Sequence, residues 1–320
     1  MKNQMHNPAI LGLGAAFLMS VPAIAQVRGP ALTAVLSPVV AAAPAAAAAS
    51  QDDDSAKPAE PSPELQKRIR EQVAASLPVW DKRLLTSYET AGPWEDNLNY
   101  EALNKALGET PFAWEGRTVP PPDADRLTDD SKSMRIRRAE GVFRYHSRKR
   151  EFSADMKGKP APSYDQVSRQ IGALLGDLKF PLAEAGKADV KTQEVAVSNE
   201  AGEVAERFPS YSFFLLNRKV EGIPVEGSTV RAAVNLRGEV QRLKIAWPHF
   251  RVRPGAELLS RERVLETALQ KVFAQDPTER LTLASRLVYA KTEKGDFLPA
   301  VQVDVNDGET PYRMTIPVAL

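Results

Sequence analysis

The sequence predicts an α+β protein made of two units, each a helix followed by antiparallel strands, behind a helical N-terminal segment and a disordered linker. Three observations carry this. Apolar residues recur with helical spacing after Ser163 and again after Ser260. Each such stretch is followed by segments in which apolar and polar residues alternate, the period of a half-buried strand. Turn signals at Arg237-Gly238, Glu293-Lys294-Gly295 and Asn306-Asp307-Gly308 set those segments at hairpin distance.

The N-terminus reads as an export signal. Lys2 supplies a weak positive charge, Ala9 to Val21 is apolar, and Ala23-Ile24-Ala25 has the small-x-small pattern that signal peptidase cleaves, after Ala25. The alternative is an uncleaved membrane anchor. With no cysteine in the chain, lipoprotein attachment is excluded. Pro30 to Ser50 is uncharged, but it is mostly alanine interrupted by Pro30, Pro38 and Pro44. Alanine gains little from lipid and proline breaks a spanning helix, so a tether is expected there. Asp52 to Asp54 and then Pro58, Pro61 and Pro63 continue it as a solvated linker.

Order is expected from Ser62, an N-cap followed by Pro63 at the first helical position. Leu65, Ile69, Val73 and Leu77 form one apolar stripe, and Pro78 ends or kinks the helix. Trp80, Leu84 and Tyr88 are read as its continuation beyond the kink. From Trp94 to Ser133 the pattern weakens, and Pro120 to Pro122 mark an irregular connector that Trp94, Phe112 and Trp114 pin to a surface. Val142 to Ser147 is a half-buried strand with Phe143 and Tyr145 on one face and Arg144 and His146 on the other, turning into a second strand near Phe152.

Ser163 and Gln166 make a capping box for a helix whose apolar face is Tyr164, Val167, Ile171, Leu174, Leu175 and Leu178. Val190 to Val197 is a weak strand candidate. Tyr211 to Leu216 is apolar on both faces and reads as central. Val230, Ala232 and Val234 alternate cleanly, as do Leu243, Ile245 and Trp247. The second unit repeats this order. Ser260 caps a helix with Val264, Leu265, Ala268, Leu269, Val272 and Phe273 as its apolar face, and strands follow around Leu287, Val303 and Met314. Each helix should cover one face of its sheet, leaving the other face to solvent or to a partner.

Composition limits the chemistry. Lysines and arginines number 42 against 41 acids, a net charge of +1, so no overall field selects nucleic acid or an anionic membrane. The absence of cysteine excludes disulfides, thiol nucleophiles and cysteine metal sites. His6 lies in the signal, and neither His146 nor His249 has a second ligand at helical metal spacing, so no metal and no cofactor is expected. No nucleophile elbow, phosphate loop or dinucleotide fingerprint occurs, so no catalytic residue is named and no enzyme is expected. Asp304, Asn306, Asp307 and Glu309 are read as a hairpin turn rather than a calcium loop. Arg135, Arg137, Arg138, Arg144, Arg148, Lys149 and Arg150 form the densest charge cluster. It is read as a solvated strand face balanced by nearby acids, with a patch for an anionic partner as the alternative.

An apolar strand, then Gly222-Ile223-Pro224-Val225-Glu226-Gly227-Ser228, then an alternating strand and a glycine turn, resembles the propeptides of thermolysin-type secreted metalloproteases, with their fungalysin/thermolysin propeptide and PepSY modules. The resemblance covers Arg138 to Phe250 best and Ser260 to Leu320 less closely. It implies a cystatin-like α+β fold and a role as intramolecular chaperone, protease inhibitor or cell-envelope regulator. The sequence departs from it in having no His-Glu-x-x-His and no catalytic domain after the module, so a stand-alone role is expected. The bend itself is physical: Pro224 enforces extension, and Gly222 and Gly227 allow tight turns. It is read as a fold corner before a contact site.

The expected organisation is thus a signal peptide over 1–25, an Ala/Pro/Asp linker over 26–62, a helical and irregular segment over 63–133, a propeptide/PepSY-like unit over 134–255 and a second over 256–320. The expected function is an exported, periplasmic or secreted, non-enzymatic binding protein with a protein partner, such as a secreted protease that it inhibits or chaperones. A tethered structural or sensory envelope protein is the alternative, with membrane association only if the signal stays uncleaved. No nucleic acid is expected, and the sequence does not pick out the binding residues.

Overall fold

A computed structural model of the chain describes residues 61–81, 85–96, 98–112, 126–198, 204–275, 277–308 and 311–319. The signal and linker expectations, including Ala23 and Ala25, lie outside the described residues, as do Leu84, Trp114 and Pro120 to Pro122.

The protein is α+β: the described residues form four helices on one large, mostly antiparallel sheet. The strands are β1 (Ser87–Pro93), β2 (Arg126–Thr128), β3 (Lys132–Arg137), β4 (Val142–Ser147), β5 (Ala185–Ser198), β6 (Val204–Val220), β7 (Ile223–Asn235), β8 (Val240–Ala246), β9 (Pro248–Arg253), β10 (Thr282–Lys291), β11 (Phe297–Asn306) and β12 (Tyr312–Pro317). The helices are α1 (Pro63–Ser76), α2 (Tyr100–Ala106), α3 (Tyr164–Asp177) and α4 (Arg261–Phe273).

The sheet has two halves. The first is antiparallel throughout, in the order β2-β3-β4-β8-β7-β6-β5. The second centres on β11, which pairs with β10 on one side and with β12 and then β1 on the other, and β9 pairs with β1. One parallel bridge, Val225 to Tyr289, joins β7 to β10. The Gly222 to Ser228 bend therefore sits where β7 passes from one half to the other.

Caps and apolar stripes set the helices. Ser163 accepts from the Gln166 amide, and the Gln166 side chain bonds back to the Ser163 amide at 2.8 Å, so α3 starts on the expected capping box. Val167, Ile171, Leu174 and Leu175 are its buried face. They pack on Phe143, Tyr145, Phe214, Leu216, Val230 and Ile245 in the first core. The Ser260 hydroxyl caps α4 by accepting from the Arg263 amide at 3.3 Å, and Val264, Ala268, Leu269 and Val272 face Val301, Val303 and Ile316 in the second.

The segment over 63–133 divides between these cores. α1, ending at Ser76 just before Pro78, packs Ile69 and Val73 into the second core beside α4, and Arg70 pairs with Glu266 across the two helices at 2.9 Å. α2 and β2 place Leu103, Leu107 and Leu127 in the first core. Tyr88 does not continue the helix. It lies in β1, opposite Val252 and Phe297, because its ring is held by Phe250 at 5.1 Å and Tyr289 at 5.2 Å. Long-range aromatic packing overrides the local helical spacing there. No strand forms at Phe152, which stacks on Phe208 ahead of a short turn at Ala154–Met156.

At the junction of the halves, Trp247 is wholly buried, with Phe180 at 4.6 Å. Arg218, almost as buried, donates to Glu184 and to the Pro248 carbonyl, both at 2.6 Å, and lies 3.7 Å over the Phe250 ring. Burial lowers its pKa, and the Glu184 carboxylate opposes that shift. Gly141 takes a left-handed φ of +59° against Pro248, where a side chain has no room.

Candidate functional site

The inner face of the first half is filled by α2 and α3. No helix among the described residues covers the outer face. Strand alternation decides what points outward. In β4, Phe143 and Tyr145 go inward, so Arg144 and His146 go outward. In β7, inward Val230, Ala232 and Val234 leave Arg231 and Ala233 outside. In β8, inward Leu243 and Ile245 leave Arg242 and Lys244 outside.

Register then aligns these positions. Arg126 faces Arg135, Arg135 faces Arg144, Arg144 faces Lys244, and Lys244 faces Arg231. Five cationic side chains stand in one row across five adjacent strands, a distance of about 19 Å at ordinary strand spacing. Beyond Arg231 the row continues to Leu215 on β6. The next row reads Ser133, His146, Arg242, Ala233, Phe213. Apart from Leu215, these residues line an open trough of about 570 Å³.

Among the described residues, Arg144, Arg231, Arg242 and Lys244 form no ion pair. Arg126 bonds the Thr128 hydroxyl, and Arg135 is engaged in a contact of its own. At this face the Glu151 carboxylate lies 2.9 Å from His146 Nε2. Burial, then the charges of Arg144 and Arg231, push the Lys244 ammonium below its ordinary pKa. Like charges directly opposite on neighbouring strands destabilise a sheet. This arrangement therefore costs stability that a folding role does not explain.

The cluster singled out by sequence is split by the fold. Arg135 and Arg144 join the row. Arg137 pairs with Glu140 at 3.1 Å, and Arg148 donates to the Asp129 carbonyl at 2.9 Å. Arg150 holds the end of α2, donating to the carbonyls of Leu107 and Val240 at 3.2 Å and pairing with Glu109 at 3.1 Å. Glu109 also accepts from Tyr145 and pairs with buried Lys132 at 3.4 Å, and Lys132 donates to the Thr110 carbonyl beneath the Phe112 ring. Burial, and then Glu109, raise the Tyr145 hydroxyl far above its ordinary pKa. This knot ties α2 to β3 and β4.

The other candidates are structural. Val225 is buried at the bridge, and Glu226 accepts from buried Gln302 at 3.0 Å, so the Gly222 to Ser228 bend is a fold corner. Asp304 pairs with Arg313, and Asn306 Oδ1 accepts from the Gly308 amide at 3.0 Å, closing the expected turn. Trp94 donates to the Leu178 carbonyl at 3.1 Å and meets Phe180 edge-on, which pins the connector. His249 is exposed on β9. No helix among the described residues is long and apolar enough to cross a membrane.

No protein-family model matches the sequence, and no curated protein matches it. Solved structures similar to it at low level include the following two. An uncharacterized protein from Eubacterium rectale aligns with a TM-score of 0.37 and 13% identity, covering 79% of this chain and 94% of that one. The Bacillus megaterium YpeB C-terminal domain aligns with a TM-score of 0.34 and 13% identity, covering 71% and 94%. Neither similarity carries an argument about function.

Proposed function

We propose that this protein is an exported, non-enzymatic binding protein that takes an anionic partner onto the open face of the first sheet half. The observation that supports it is the row Arg144, Lys244, Arg231, with Arg242 beside it. These four cations lack ion-pair partners among the described residues and stand where like-charge repulsion costs stability. A partner carrying carboxylates or phosphates relieves that repulsion, and arginine offers them a bidentate fork. Export rests on Lys2 and on Ala9 to Ala25. In this reading the partner is a protein, and chaperoning or inhibiting a secreted protease is the form that the propeptide resemblance adds.

Cation exchange tests the face. The triple variant Arg144→Gln/Arg231→Gln/Lys244→Gln is compared with a control that removes the same charge at exposed Lys67, Arg263 and Lys294. The triple variant should elute at clearly lower salt than both the control and the parent protein. Equal shifts in the two variants would mean that net charge alone governs retention and that the face is not a site.

A further inference from the structure

The open face is basic from β2 to β7 and apolar on β6. Phe213 and Leu215 project outward from β6, next in the rows that carry Arg242 and Arg231 and ahead of the Lys191–Asp189 ion pair on β5. Phe213 is 39% exposed, large for an aromatic on a sheet face. Tyr211, two residues along the same strand, stands against it at 4.8 Å with the rings at 74°. Between Arg242 and Phe213 lies Ala233, whose small side chain leaves a low floor. From β4 to β6 is three strand spacings, about 14 Å, or four to five residues of extended chain.

Resting on the docking reading above, we propose that the occupant is an acidic peptide segment with an apolar side chain four to five residues beyond the carboxylate that meets Arg144. Its acids would meet Arg144, Lys244 and Arg231, and its apolar side chain would cover Phe213 and Leu215. Charge complementarity fixes the first half of this assignment. The apolar end decides between anions. A phosphate polymer has nothing to place on Phe213 and Leu215. A single-stranded nucleic acid would need flat ring faces on which successive bases stack. Tyr211 and Phe213 meet at right angles instead and present a rounded apolar knob. A protein segment supplies both chemistries from one chain.

Fluorescence anisotropy with four probes tests this: a labelled peptide of four glutamates ending in Gly-Gly-Leu-Phe, the same peptide ending in Gly-Gly-Ser-Ser, inorganic polyphosphate, and oligouridine, the last two as competitors. The Leu-Phe peptide should bind at least fivefold more tightly than the Ser-Ser peptide. That preference should vanish in Phe213→Thr, which keeps strand propensity and whose fold is checked by circular dichroism. Both peptides should lose at least tenfold in Arg144→Gln/Arg231→Gln. Equal binding of the two peptides, or tighter binding of polyphosphate or oligouridine than of either, overturns the peptide assignment while leaving an anion-docking face. No probe distinguishing the parent protein from Arg144→Gln/Arg231→Gln overturns the docking reading as well.

Discussion

Lys244 stands between Arg144 and Arg231 in the basic row, so replacing it with methionine should stabilise the protein. Methionine keeps the unbranched stem, and little packing is lost. The gain comes from the two charges alongside. Ammonium and guanidinium ends about 7 Å apart in a near-aqueous dielectric repel by about 0.6 kcal/mol, so two neighbours give about 1 kcal/mol. Cross-strand pair energies of about 0.2–1 kcal/mol agree with that figure. For a protein of this size the gain corresponds to a rise of about 2–4 °C in Tm. Salt should erase most of it, because the screening length falls to about 3 Å at 1 M. The pH dependence has a definite sign. The folded-state pKa of Lys244 lies below its unfolded value of 10.5, so the folded protein sheds this proton first. The burden is full below the lowered pKa and is relieved as pH rises toward 10.5, so parent and variant should converge there. Thermal melts of both proteins at low and high salt measure this. A variant that melts at or below the parent at low salt, or a gain indifferent to salt, would refute the claim that the row is electrostatically strained.

Three further outcomes follow from the packing. Gly141→Ala forces a β-carbon to within 2.4 Å of the Pro248 Cα at a φ of +59°, and urea unfolding should show a loss of about 2–4 kcal/mol from left-handed strain and overpacking together. Arg218→Met strips the Pro248 carbonyl and Glu184 of their donor. Glu184 is partly exposed and stays hydrated, so the loss should be about 2–4 kcal/mol, below that for a fully buried pair. Burial would raise the Asp129 pKa, but bonds from the Ser131 hydroxyl and the Ser131 and Lys132 amides outweigh it and lower the value. Its contribution is therefore present above the ordinary value of 3.8 and fades as pH falls through the lowered one, and acid titration of Asp129→Asn should lack that step.

Local signals brought out the elements that carry them. Ser163 with Gln166, and Ser260, cap helices where expected, and the hairpin turns at Gly238, Gly295 and Gly308 fall where glycine takes a positive φ. The elements that escaped are held by distant partners. β1 depends on β9 and β11, and Tyr88, read as helical, is fixed by Phe250 and Tyr289. The outer face of β6 looked interior because Tyr211, Phe213 and Leu215 are apolar, yet Phe213 is exposed. The basic row escaped because Arg135 and Arg144 meet Arg231 and Lys244 only through strand register, and no sequence neighbourhood contains them together. A signal for it was nonetheless present. Once Phe143, Tyr145, Val230, Ala232, Leu243 and Ile245 are assigned inward, the residues between them are Arg144, Arg231 and Lys244.

The measurement closest to the central claim is an amide NMR titration of the protein with the Leu-Phe-ended glutamate peptide. The account predicts that the largest shifts cluster at Arg144, Arg231, Arg242, Lys244 and Phe213, with β10, β11 and α4 unmoved. Shifts centred on α4 or β10–β12, with the basic row silent, would contradict it.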